Sequence, residues 1–67
     1  MEREYAYVKD DDGTMAEVTS LGGDVPNFDC VISRNGRKIT QYRFYGWVSN
    51  VKSLAQYALR TYKEERK

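Results

Sequence analysis

The chain has 67 residues, with six Tyr, two Phe and one Trp, so it is expected to form a single domain near the lower size limit for an unstapled core. One cysteine and no histidine exclude an intramolecular disulfide and a conventional zinc site. The formal charge of +1 hides a split: residues 1–30 carry eight acids and two bases, net −6, whereas residues 31–67 carry nine bases and two acids, net +7. Such a dipolar chain points to binding rather than chemistry.

The N-terminus, Met1-Glu2-Arg3-Glu4, lacks the basic-then-apolar form of a signal peptide. No run of about 18 apolar residues occurs, so no transmembrane helix is expected. A lone Cys30 fits a reducing compartment, and the expected location is cytoplasmic. Within an apolar strand Cys30 reads as a buried small hydrophobe.

Two segments share one local design. Tyr5–Lys9 and Met15–Thr19 alternate in polarity around Asp11-Asp12-Gly13. Phe28–Ser33 and Lys38–Tyr45 do the same around Arg34-Asn35-Gly36. Asp-Gly and Asn-Gly between β-type runs are strong hairpin signals. A three-residue loop in the first hairpin sets Val8 opposite Ala16 and Ala6 opposite Val18. Its other face then carries Tyr5, Tyr7, Lys9, Met15 and Glu17. The same loop length in the second hairpin pairs Cys30 with Thr40 and Phe28 with Tyr42. That gathers Phe28, Cys30, Ile32, Tyr42 and Phe44 on one face and leaves Val31, Ile39, Gln41, Arg43 and Tyr45 on the other.

Leu21-Gly22-Gly23-Asp24-Val25-Pro26 is a connecting loop, and Gly46 ends the last strand. Trp47/Val48, Val51, Leu54/Ala55, Ala58/Leu59 and Tyr62 recur at helical spacing after an expected N-cap at Ser49. Arg60, Lys63, Arg66 and Lys67 complement the negative end of the helix. The elements are therefore a hairpin over 5–19, a loop over 20–26, a hairpin over 27–45 and a helix over 48–65. The fold class is α+β: a small antiparallel four-stranded sheet with one C-terminal helix on one face, ββββα.

Catalytic constellations are missing. There is no His base, no Gly-x-Ser-x-Gly and no phosphate-binding loop with its Lys. The Asp10-Asp11-Asp12-Gly13 run fails as a calcium loop, because position six is Met15 and position twelve is Leu21. The expectation is a non-enzymatic binding module without cofactor or metal.

Its sharpest feature is the basic, aromatic second hairpin. Arg34, Arg37, Lys38 and Arg43 suit phosphates, Gln41 a base edge, and Tyr45 a stacked base or sugar. Nucleic acid is therefore the first partner expected. Basic strands followed by Phe44-Tyr45-Gly46-Trp47 and a helix to Tyr62 resemble the sheet-and-helix DNA-binding modules of plant transcription factors and integrase arms. That resemblance covers residues 28–62 and implies a three-stranded sheet reading the major groove. This chain departs from it by an extra acidic strand.

The alternative is a small phage or mobile-element type of protein that binds and modulates a host protein, for instance a nucleic-acid-handling machine. Asp10, Asp11 and Asp12 at the acidic tip, with Tyr57 and Arg60 on the outer helix face, would then be contacts. A third reading is a homodimer closed through Tyr5, Tyr7 and Met15.

Overall fold

The computed structural model describes residues 4–65; Arg66 and Lys67, the last two of the helix cations expected above, lie outside the described residues. Four strands, β1 (Tyr5–Lys9), β2 (Thr14–Ser20), β3 (Asn27–Arg34) and β4 (Arg37–Tyr45), are followed by helix α1 (Val51–Glu65). The strands form one antiparallel meander in the order β1-β2-β3-β4, so β1 and β4 are its edges.

The first hairpin has the register that its alternation requires. Val8 faces Ala16 and Ala6 faces Val18, around a loop closed by Asp10 N–H to the Thr14 carbonyl at 2.8 Å. Gly13 takes φ +90°, a left-handed conformation that other residues enter only with strain. A Cβ there would also come within 3.0 Å of Asn35 Oδ1, so the tips of the two hairpins touch.

The second hairpin departs from expectation in register but not in face. Asn35 (φ 52°) and Gly36 (φ 83°) form a two-residue turn with both residues left-handed, the arrangement that matches strand twist. Arg34 pairs with Arg37 and Ser33 with Lys38, but Ile32 pairs with Thr40, leaving Ile39 as an extra residue in a β-bulge. Cys30 consequently faces Tyr42 and Phe28 faces Phe44, in place of Thr40 and Tyr42. The bulge and the shorter turn together displace the register by two residues, and an even displacement preserves the faces.

Helix α1 begins at Val51, three residues later than the spacing suggested. The cap is Asn50, not Ser49: its Oδ1 accepts from Ser53 N–H at 2.8 Å, satisfying one of the orphan amides of the first turn. Trp47 and Val48 therefore precede the helix and do not belong to its buried stripe.

The core lies between the helix and one sheet face. Ala16, Val18, Phe28, Cys30 and Ile32 come from the sheet; Val51, Leu54, Ala55, Ala58, Leu59 and Tyr62 come from the helix. Ala16, Ala55 and Ala58 are wholly buried, and these small side chains let the helix lie close against the sheet. It packs on β2 and β1, and less on β3. The inner face of β4 is only half covered, by Tyr57 edge-on to Phe44 at 6.0 Å and by Glu65, which accepts from the Tyr42 hydroxyl at 3.1 Å. No helix among the described residues is long and apolar enough to cross a membrane.

Candidate functional site

The antiparallel meander brings both hairpin tips to one end of the sheet, and the C-terminal end of α1 meets them there. The charges of the two halves consequently pair with each other. Arg34 donates from Nε and Nη2 to Thr14 Oγ1 at 3.1 and 3.0 Å and reaches Asp12 Oδ2 at 3.4 Å. Lys63 lies 3.6 Å from Asp12 Oδ2 and also pairs with Asp10. Asp12 Oδ1 accepts the Thr14 amide at 2.9 Å. That amide, then the Thr14 hydroxyl and then the Arg34 charge hold the Asp12 carboxyl below its ordinary range. The two separated charge patches that the sequence suggests are thus replaced, at this end, by a clasp tying β1–β2, β3–β4 and α1. Thr14 is wholly buried beneath it. Of the acidic tip, Asp10 and Asp12 are engaged, while Asp11 stays exposed.

The outer sheet face carries a second network. Lys38 Nζ donates to Gln41 Oε1 at 2.6 Å, and Gln41 Nε2 donates to Asp29 Oδ1. Arg43 Nε stands 4.0 Å from the same carboxylate. Gln41 is therefore held over Asp29, whereas Arg43 only approaches that carboxylate and keeps its side chain half-exposed. Across the sheet, the Tyr5 hydroxyl donates to Glu17 Oε2 at 2.7 Å. This hydrogen bond to a carboxylate, chiefly, raises the Tyr5 phenol above its usual value. Tyr5 and Tyr7 are exposed and Met15 is half-buried. The middle of this face holds two carboxylates, Glu17 and Asp29, and an acidic centre opposes phosphate.

Arg37 is exposed beside the second turn, and Tyr45 is 71% exposed at the other end of β4. Arg60 is exposed on the helix. Tyr57 lies off the core stripe and is more than half exposed, and its ring also makes a T-shaped contact with Phe44. Cys30 is wholly buried. Burial, with a contribution from the neighbouring Asp29, pushes its thiol up to about 11, far from the lowered values of reactive thiols. Among the described residues no group of His, Cys, Asp and Glu is arranged to hold a metal ion.

The sheet end opposite the clasp has the most unusual surface. Trp47 lies just beyond the last strand, after Gly46, and is 90% exposed. It borders a cavity of 520 Å³ lined also by Leu21, Pro26, Phe28, Glu4 and Asp24. The loop that walls this cavity is held by Asn27, whose Nδ2 donates to the carbonyls of Gly22 at 2.8 Å and Val25 at 3.0 Å. Leu21 N–H to Asn27 carbonyl and Gly46 N–H to Pro26 carbonyl close it against the strands. Helical spacing had absorbed Trp47 into the core stripe. Either cap, the expected Ser49 or the observed Asn50, leaves Trp47 ahead of the helix, so its place in the apolar spacing did not make it a core residue.

Comparison with protein-family models, with curated proteins and with solved structures found no match.

Proposed function

We propose that this protein is a non-enzymatic binding module whose partner is another protein, engaged through Tyr45 and Trp47 and along the open edge of β4. The observation that carries this reading is the exposure of Trp47. An indole left in water forfeits more burial energy than almost any other side chain, and Trp, Tyr and Arg are the residues that most often dominate protein interfaces. The nine-residue β4 has no neighbouring strand on its outer side among the described residues, so its backbone can accept an added strand. Arg37 and Lys38 protect that edge from indiscriminate pairing. Modulation of a host protein by a small phage-type protein fits this arrangement.

The test is capture of binding proteins from a nuclease-treated lysate, with Tyr45→Ala and Trp47→Ala as controls. Specific partners that survive nuclease and are lost from both variants are expected. Capture that vanishes with nuclease and ignores Trp47→Ala overturns the reading.

One observation favours a second reading, nucleic-acid binding. Arg37, Lys38, Arg43 and Tyr45 are all exposed along the single strand β4, a pairing of cations and a stacking ring that suits a sugar-phosphate chain. Gel mobility shift at low salt decides it. A shift that weakens steeply with salt and is lost from Arg37→Ala/Arg43→Ala supports this reading; no shift at low salt removes it.

A further inference from the structure

The cavity beside Trp47 has a chemistry of its own. Its walls combine apolar surface from Leu21, Pro26 and Phe28 with two acidic residues, Glu4 and Asp24, and among the described residues include no Lys or Arg. These carboxylates differ from most others in the molecule. Asp10, Asp12, Glu17, Asp29 and Glu65 each hold a hydrogen bond or an ion pair, whereas the Glu4 and Asp24 side chains have none within the described residues. The cavity volume of 520 Å³ lies in the range of sites that enclose a ligand. The Asn27 hydrogen bonds to Gly22 and Val25 build its wall before any partner arrives.

We propose that this cavity is the docking site for an arginine side chain presented by the partner protein. The reading rests on the protein-partner function above and names what enters first. The aliphatic stem lies on Leu21 and Pro26. The guanidinium stacks on the indole of Trp47 and meets the carboxylates of Glu4 and Asp24. Charge complementarity selects a cation, because the described lining residues are net acidic beside an otherwise basic β4. A planar guanidinium is favoured over an ammonium because it can stack on a ring and bridge a carboxylate with two hydrogen bonds at once.

Trp47 is the only tryptophan, so its indole N–H gives a single NMR signal that reports on this cavity alone. The probes are the blocked tripeptide Leu-Arg-Leu and its citrulline counterpart, which keeps the shape and loses the charge. The arginine peptide is expected to shift the indole signal and to bind about tenfold more tightly than the citrulline peptide. A Glu4→Gln/Asp24→Asn variant, isosteric and exposed at both positions, is expected to reduce it to the citrulline level. Equal binding of both peptides, or no shift from either at millimolar concentration, overturns the proposal. The same variant separates this inference from its parent in lysate capture. Partners lost from Trp47→Ala but kept by Glu4→Gln/Asp24→Asn leave the protein-partner reading standing and remove the arginine site. Partners kept by both remove the parent.

Discussion

Replacing Trp47 by alanine is expected to leave the fold intact while removing the partner. The indole is 90% exposed, so only about a tenth of a side-chain surface of roughly 250 Å² is sheltered. At about 25 cal/mol per Å², that shelter contributes about 0.6 kcal/mol to folding. A 67-residue chain has a total stability of about 3–10 kcal/mol, so the loss is a small fraction of it. The same truncation at an interface anchor costs at least about 2 kcal/mol, or about thirtyfold in affinity. Urea denaturation followed by circular dichroism measures the first quantity, since the substitution removes the only fluorescent indole. Titration against the captured partner measures the second. A stability loss above about 2 kcal/mol would show that the indole is packed in the folded protein, and the functional argument from its exposure would fail.

Three further outcomes are expected. Ile32→Ala, at a wholly buried position between sheet and helix, should cost about 3 kcal/mol, enough to leave the domain marginal in thermal or urea melts. Because the folded Asp12 carboxyl lies below its ordinary value of 3.8, the stability it contributes is complete above that value. It is lost as pH falls through the lower folded value, so Asp12→Asn should flatten the acid limb of the unfolding curve. Cys30, buried and with its thiol raised to about 11 from 9.0, should resist a thiol reagent at pH 8 until the chain unfolds. Its contribution is present below 9.0 and lost as pH climbs toward 11, so Cys30→Ala should soften alkaline unfolding, which titration monitored by circular dichroism can check.

Much of the architecture is written in local patterns. Alternation assigns the buried faces of all four strands, and an Asp-Asp-Gly loop sets the first register. In the second hairpin the faces are legible but the pairing is not. A bulge at Ile39 combined with an Asn-Gly turn satisfies the same alternation as a longer loop; Asn-Gly itself signals the two-residue turn, but no residue marks the bulge that restores the faces. The buried helical stripe from Val51 to Tyr62 follows its periodicity, yet Trp47 and Val48 obey that periodicity by coincidence, since they precede the capping residue. The clasp of Asp10, Asp12, Arg34 and Lys63 joins residues far apart in sequence. Counting charges by halves suggests two patches; strand order brings those charges together. The cavity escapes sequence reading because Leu21–Pro26 has no period, and its shape comes from Asn27 gripping its carbonyls.

The cavity and the charge clasp lie at opposite ends of the sheet, which fixes how the molecule can be tethered. Glu4 lines the cavity, so a purification tag or surface linker on the N-terminal side is anchored to the fold at the cavity rim. One joined beyond Glu65 leaves from the end where Lys63 meets the hairpin tips, with the aromatic end facing away from the support. Immobilised through its N-terminus, the protein would present its neutralised end to solution and report weak binding for reasons of orientation alone.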